Sequence, residues 1–168
     1  PLKDWQDWVL HGEAFRQCPF FALGNPADPS QHACALPGPV AIRIAGGKAE
    51  ITVGYRVYAP GYVGLVHAAR TAPEALDVSG QTAIIDGASS TPRTWLEPGS
   101  RQLRYLLDLA AQPESLMVPQ SLRLVELSVD GRAIFPLNRA GGELWLQRAE
   151  TATERDALEV TVHRLWVD

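Results

Sequence analysis

The sequence predicts an all-β protein: an antiparallel β-sandwich of jelly-roll type with a short N-terminal helix and a disulfide-closed loop. After residue 38 the chain consists of short apolar segments that are separated by turn signals about every 8 to 12 residues. Several of these segments alternate apolar and polar residues, as expected for a strand with one buried face. We therefore divide the chain into residues 1–38, a helix and cysteine loop packed on the sandwich, and a sandwich domain over 39–168.

Composition limits the classes of partner. The chain has 168 residues, of which 46% are hydrophobic and 20% charged, which suits one domain with a sizeable core. The net charge is −4 and arginines are scattered, so a nucleic-acid partner is not expected. No run of 18 apolar residues is present, so we predict no membrane span in this segment. The start at Pro1 and the stop at Asp168 suggest a piece of a longer protein.

Residues 3–15 contain the predicted helix. Asp4 would cap its N-terminus, Trp5 and Trp8 recur at helical spacing, and Gly12 would end it. Because a short isolated helix is marginal in water, we expect the two tryptophans to dock it onto the sandwich.

Both cysteines flank a loop rich in proline and turn residues. Such a loop has few hydrogen bonds of its own, and a disulfide between Cys18 and Cys34 would stabilise it by about 3 kcal/mol in the chain-entropy model. A zinc site formed by these cysteines with His11 and His32 is the rival, although the spacing lacks a close cysteine pair. Two buried free thiols remain a third interpretation. We favour the disulfide, which predicts a periplasmic or secreted protein.

The first predicted hairpin joins segments 40–45 and 49–58 through Gly46 and Gly47, a two-residue turn signal. The second segment alternates strictly, with one apolar face formed by Ile51, Val53, Tyr55 and Val57. Further strands are predicted at 62–67, 75–78, 82–86, 92–96, 101–109, 121–129, 133–135, 143–147 and 157–167.

No motif in the sequence identifies an enzyme. His11, Gly12 and Glu13 match the H-x-E of zinc deaminases, but the P-C-x-x-C partner is missing. No G-x-S-x-G element is present, and the glycine pair at 46–47 precedes no helix that would bind phosphate. We therefore expect a non-catalytic protein with no cofactor and no metal.

The aromatic residues are the best candidates for ligand contacts. Each of the five tryptophans is first expected to pack, as tryptophans in small sandwiches mostly do. Strand alternation nevertheless places Trp145 and Trp166 opposite their leucine and valine neighbours, on the outer face. The candidate site for a sugar therefore consists of these residues: Trp145, Trp166, Tyr58, Tyr62, Arg148 and Arg164.

Four stretches carry a resemblance to a known group of proteins. They are WVLHGEAFRQCPF (8–20), ACALPG (33–38), PESLMVP (113–119) and SVDGRAIFPLNRAGGELWL (128–146). The chain resembles the N-terminal module of large uncharacterised exported proteins of proteobacteria. This resemblance implies further modules in a parent chain and no particular activity. At the level of fold alone, the predicted sandwich is similar to galactose-binding-like modules.

Together these observations predict a module of a larger envelope or secreted protein that binds glycan or cell-envelope polymer. The alternative is a protein-interaction or scaffold domain that contacts other domains of the parent chain or a partner protein. An exposed aromatic platform would favour glycan, and a broad apolar patch would favour a protein.

The disulfide is directly testable. Intact-mass spectrometry of the unreduced protein should show a mass lower by two hydrogens than after reduction, and peptide mapping should link Cys18 to Cys34. Two free thiols in freshly purified periplasmic protein would contradict both the bond and the predicted compartment.

Overall fold

The computed structural model describes residues 5, 11–20, 24–69, 71–87, 90–111 and 113–146. These residues form mostly strands, together with two 3-10 helices at Ala14–Gln17 and Pro29–Gln31. The strands are β1 (Ala35–Ala45), β2 (Lys48–Val57), β3 (Gly61–Gly64), β4 (Glu74–Val78), β5 (Gln81–Thr82), β6 (Arg93–Leu96), β7 (Gly99–Asp108), β8 (Ser115–Met117), β9 (Val125–Val129), β10 (Arg132–Ala133), β11 (Arg139–Ala140) and β12 (Glu143–Trp145).

The strands form three sheets. A seven-stranded sheet has the order β10-β9-β1-β2-β7-β4-β5, a three-stranded sheet the order β11-β12-β8, and β3 pairs with β6. The predicted hairpin of β1 and β2 is confirmed, with Ala45 opposite Lys48 across the glycine pair. Gly46 and Gly47 have φ values of +57° and +74°, the left-handed conformation that this turn requires.

One strand pair departs from the predicted antiparallel arrangement. Strand β9 pairs with β1 in parallel, with Val40 opposite Val125 and Ile44 opposite Val129. A parallel pair needs a long crossover connection. Here the connection consists of residues 46–124, between the end of β1 and the start of β9. The local turn signals predict hairpins between neighbouring strands and do not show which sheet edge a distant strand joins.

The predicted strand at 121–129 begins later than its apolar pattern suggests. Leu122 is buried but precedes β9, and Leu124 is exposed just before the strand starts at Val125. The apolar positions change from Leu122 and Leu124 to Val125, Leu127 and Val129, and this change therefore marks the entry to the strand. Two short strands, β8 and β11, were not predicted, and the segment predicted at 157–167 lies outside the described residues.

The seven-stranded sheet buries one face. Along β2 and β7, Ile51, Val53, Leu103 and Leu107 are almost fully buried, while intervening residues such as Arg104 are exposed. Each alternation has a period of two, as the sequence predicts for a sheet with one solvated face. The core therefore lies on one side of this sheet.

The two small sheets contribute to the same hydrophobic core. Val63 and Leu96 of the β3–β6 pair and Leu116 and Leu144 of the β8–β12 pair join the buried residues of the large sheet. A backbone bridge between His67 and Met117, with hydrogen bonds of 3.1 and 2.7 Å, links the two small sheets. The described chain is thus a multi-sheet β-structure with one shared core, and the jelly-roll sandwich stays a prediction.

A buried tyrosine ties the segment after β3 to the large sheet. The Tyr105 hydroxyl of β7 accepts a hydrogen bond of 2.7 Å from the backbone N–H of Val66. Both residues are almost fully buried, and burial raises the pKa of Tyr105 above its ordinary value. The bond therefore satisfies an amide that water does not reach.

The disulfide between Cys18 and Cys34 is present, with Cα atoms 4.7 Å apart. It joins the cysteine loop to the large sheet, because β1 begins at Ala35 and Cys34 accepts a backbone hydrogen bond from Tyr58. His32 lies inside the loop, with Nδ1 3.1 Å from the Cys18 carbonyl oxygen and Nε2 3.0 Å from that of Pro26. The disulfide therefore uses both sulfurs of the alternative zinc site, and the two carbonyl contacts use both ring nitrogens of His32.

The predicted N-terminal helix is not shown. Most of residues 3–10, including Trp8, lies outside the described residues, and Ala14–Gln17 is 3-10 rather than α-helical. Trp5 is described and is 61% exposed. Nowhere in the described chain is a helix both long enough and apolar enough to cross a membrane.

The buried tyrosine provides a stability test. Tyr105→Phe removes the acceptor of the Val66 N–H and should lower the free energy of unfolding by about 1 to 3 kcal/mol in a urea titration. The matched control is Tyr55→Phe, since Tyr55 is also buried but its hydroxyl has no hydrogen-bond partner in the described part of the chain. Equal effects of the two substitutions would contradict a special role for this bond.

Candidate functional site

The structure does not bring together all the site residues that the sequence predicts. Tyr58 follows β2, half-buried, with the Arg56 guanidinium 5.9 Å from its ring centre. Tyr62 is on β3 and Trp145 on β12, in different sheets, and both are exposed. Among the described residues no ring contact joins Tyr62 to Tyr58 or Trp145. The remaining candidates, Trp166, Arg148 and Arg164, lie outside the described residues.

Alternation along β12 agrees with the prediction. Leu144 is fully buried and Trp145 is 37% exposed, so the two side chains point to opposite faces. The expectation that tryptophans mostly pack in the core is wrong for those that the structure describes. Trp5, Trp95 and Trp145 are all exposed, and none belongs to the hydrophobic core.

The structure brings together a different aromatic pair, on strands β3 and β6. Tyr62 and Trp95 are directly opposite each other in the antiparallel register, and their ring centres are 5.0 Å apart in an edge-to-face arrangement. Tyr62 is 50% and Trp95 47% exposed. Their inward neighbours Val63, Thr94 and Leu96 are buried, so alternation fixes the two rings on the outer face. We call this surface the Tyr62–Trp95 face.

A cation lies against one ring of this face. Arg93 is opposite Gly64 in the register, and its guanidinium lies 4.2 Å from the ring centre of Tyr62. A guanidinium at this distance makes a cation–π contact. The Tyr62 ring thus contacts both Arg93 and Trp95 while remaining half-exposed.

Asp86 completes a polar network at the edge of the Tyr62–Trp95 face. Its backbone pairs with Arg93 through two hydrogen bonds of 2.8 Å, and its carboxylate lies 3.4 Å from the Arg93 guanidinium. Hydrogen bonding and charge from Asp86 raise the pKa of Tyr62. Hydrogen bonds from Tyr62 and from the Gly87 backbone lower the pKa of Asp86. The Asp86 carboxylate and the Arg93 guanidinium therefore orient each other, and Arg93 in turn lies against the Tyr62 ring.

Trp95 has a polar partner on its other side. Its indole N–H donates a hydrogen bond of 2.8 Å to the Glu97 carboxylate. Glu97 in turn accepts, through its backbone carbonyl, a hydrogen bond of 2.9 Å from Arg101. The aromatic rings are thus flanked by charged groups on both sides, an arrangement that offers stacking and hydrogen bonding together.

A cavity of about 480 Å³ adjoins this face. Tyr62, Gly64 and Arg93 form part of its wall, and the remainder comes from the junction of the two small sheets, including His67, Met117 and Pro119. This volume lies within the range of small-molecule pockets, about 300 to 1,000 Å³. The Tyr62–Trp95 face and the cavity form the candidate site.

A second, larger cavity of about 910 Å³ lies at the bulge of β1, on the outer side of the large sheet. Its arginines already have partners in the protein. Arg56 donates to the Ser100 hydroxyl at 3.1 Å, and Arg101 donates to the backbone carbonyls of Glu97 and Pro98. It offers no exposed aromatic pair like that of the first cavity.

The candidate site differs from what sequence patterns identify. Trp95 was expected to pack, and Asp86, Arg93 and His67 were not singled out. A signal was present in the run Arg93-Thr94-Trp95-Leu96, where alternation with a buried threonine and leucine exposes the arginine and the tryptophan. That signal does not show which strand lies alongside, so the contact with Tyr62 depends on the sheet pairing.

In the described part of the chain, no group of three or more histidine, cysteine, aspartate or glutamate residues is arranged to hold a metal ion. Comparisons with known proteins give little more. No family model matches the chain, and no curated protein matches it.

Two solved structures are similar to part of the chain: the M1 zinc metallopeptidase from Deinococcus radiodurans, and a mutant of a two-domain M1 zinc metallopeptidase bound to L-arginine. For both, sequence identity is 11% and the TM-score is 0.33, with 63% of this chain and 36% of the other covered. The chain thus spans about a third of the length of these proteins. Such weak similarity carries no functional argument.

The polar network can be tested by titration. Asp86→Asn removes the carboxylate that favours the neutral Tyr62 phenol, so the pKa of Tyr62 should fall. The measurement is the ¹³Cζ chemical shift of Tyr62 as a function of pH. Asp77→Asn is the control, because the carboxylate of Asp77 on β4 accepts a hydrogen bond from the Gly80 N–H in the following turn. This substitution should leave the pKa of Tyr62 unchanged. An unaltered titration of Tyr62 in Asp86→Asn would contradict the network.

Proposed function

We propose that this protein is a non-catalytic module that binds a glycan or cell-envelope polymer on the Tyr62–Trp95 face. The observation that carries the proposal is the exposed aromatic pair with charged groups on both sides and a cavity beside it. Sugar rings present C–H faces that pack on aromatic rings and hydroxyls that hydrogen-bond to charged side chains. Both kinds of contact are available here within one surface.

The rigidity of the site supports this proposal. The Arg93 guanidinium is held over the Tyr62 ring near the Asp86 carboxylate, and the Trp95 indole is bonded to Glu97. A side chain that is already ordered loses less rotamer entropy when a ligand binds, a cost of about 0.5 to 1.5 kcal/mol for each flexible side chain. One shallow face still predicts weak affinity, in the order of millimolar to micromolar.

An exported location fits the same proposal. The disulfide between Cys18 and Cys34 is of a kind that persists in oxidising compartments. We propose that the chain acts in the periplasm or outside the cell, as the N-terminal module of a larger protein and with an antiparallel β-sandwich architecture. Envelope polymers are accessible in that location.

A second candidate function is supported by a separate surface. Leu124, Ile134 and Phe135 are exposed near the β9–β10 edge of the large sheet, Phe135 by 91%. Exposed apolar groups at a sheet edge are typical of protein contacts. A protein-interaction or scaffold role through this edge is therefore the alternative to glycan binding.

Binding assays with matched variants test the proposal. A glycan array and titrations against envelope polysaccharides, followed by tryptophan fluorescence at high protein concentration, should show binding by the unaltered protein. Trp95→Ala and Tyr62→Ala should each weaken binding about tenfold or more, since stacking on one ring is removed. Trp145→Ala is the matched control because Trp145 is exposed on another sheet, and it should bind normally.

The opposite outcomes are equally informative. Loss of binding only in Trp145→Ala would indicate that the ligand binds at Trp145, among the site residues predicted from the sequence. Absence of binding to every polysaccharide would contradict the proposal and favour the scaffold role, which predicts that Phe135→Ser reduces binding to the parent protein's other domains.

A further inference from the structure

The cavity beside the Tyr62–Trp95 face contains a buried histidine. His67 is 8% exposed, and its backbone is fixed by two hydrogen bonds to Met117 at the junction of the small sheets. His67 is one of the residues that line the cavity. A polar side chain in this position has a defined orientation and little access to bulk water.

The hydrogen bond of one ring nitrogen determines what the other offers. Nδ1 of His67 lies 3.1 Å from the backbone carbonyl oxygen of Leu65. A carbonyl oxygen only accepts, so Nδ1 carries the proton, and in the neutral imidazole Nε2 is an acceptor. In the described chain Nε2 has no protein partner. No side-chain nitrogen or oxygen there is both inaccessible to solvent and without a hydrogen bond, so Nε2 is accessible to solvent. Since His67 lines the cavity, Nε2 is an acceptor available to a molecule bound there.

Much of the surrounding wall is apolar. Pro92, Met117, Val118 and Pro119 contribute to it. Pro119 approaches closely because Gly64 has no side chain: a Cβ at this glycine would lie 3.2 Å from the Pro119 Cγ. The cavity thus combines a buried acceptor with a surface suited to a methyl group.

We infer that this cavity binds the acetamido group of an N-acetylhexosamine unit, whose N–H donates to Nε2 of His67 and whose methyl group packs on Met117 and Pro119. The inference rests on the proposed function, because the sugar ring would then lie on the Tyr62–Trp95 face. An acetamido group supplies an N–H donor, a carbonyl acceptor and a methyl group. The lining contains His67, the polar residues Ser90, Thr91 and Gln120, and the apolar residues Met117 and Pro119, so it holds a residue type suited to each of the three. A C2 hydroxyl can also donate to Nε2, but only the acetamido group places a methyl group on Met117 and Pro119 when it makes that bond, so a sugar bearing only hydroxyls lacks this apolar contact.

Two trisaccharides test this specificity. N,N′,N″-Triacetylchitotriose, called chitotriose below, and cellotriose share a β-1,4-linked backbone and differ in having an acetamido group or a hydroxyl at C2. In titrations by calorimetry, the unaltered protein should bind chitotriose about fivefold to tenfold more tightly, a ratio expected for one hydrogen bond with its apolar contacts. Equal affinity for the two sugars would overturn the inference and leave the aromatic platform in place.

Two substitutions test the roles of the two imidazole nitrogens separately. His67→Asn keeps a donor near the position of Nδ1, for the Leu65 carbonyl, and removes the atom at Nε2. It should abolish the preference for chitotriose while cellotriose binding is retained. His67→Gln places an amide oxygen near the position of Nε2 and should restore part of the preference. A preference that persists in His67→Asn would contradict the role of Nε2.

NMR distinguishes failure of the cavity from failure of the platform. During titration with N-acetylglucosamine, the ¹⁵N signal of His67 Nε2 should shift, and the same concentration of glucose should leave it unchanged. The indole N–H signal of Trp95 reports independently on the Tyr62–Trp95 face. A response of Trp95 alone would overturn the inference but support the proposed function, whereas a response of His67 alone would support the cavity and contradict the platform. If neither signal shifts, both the inference about the cavity and the proposed function are contradicted.

Discussion

One apolar face of a seven-stranded sheet must be covered, and the rest of the structure depends on how that is done. A two-stranded and a three-stranded sheet contribute residues to the same hydrophobic core as this face, and neither has a large core of its own. The segment from Gly61 to Ala68 holds them together. It pairs with β6 through β3, with β8 through His67, and with the large sheet through the bond from Val66 to Tyr105.

The same segment shapes the candidate site, so the packing of the core and the geometry of the site are coupled. Its inward residues Val63 and Leu65 anchor the core, and its outward Tyr62 forms half of the aromatic pair. His67 follows where the strand pairing passes from β6 to β8. A change that loosens this segment would therefore displace the Tyr62–Trp95 face and the cavity together.

The site is built from contacts between exposed residues. These contacts orient the side chains of the site more than they stabilise the fold. The ion pair of Asp86 and Arg93 is half-exposed, and such pairs contribute little to stability. Its effect is to keep the guanidinium near the Tyr62 ring, which in turn contacts Trp95. Preorganisation of this kind favours recognition of a weakly bound ligand by lowering the entropy cost of binding.

The sequence by itself determined the β-rich class, the hairpin at Gly46-Gly47, the alternation of β2 and the disulfide of Cys18 and Cys34. These features depend on residues close in the chain or on the chemistry of two cysteines. Tertiary structure decided the parallel pairing of β1 with β9, the meeting of Tyr62 with Trp95 and the cavity at His67. Each of these joins residues that are distant in sequence, and alternation shows which face a side chain occupies but not which strand lies beside it.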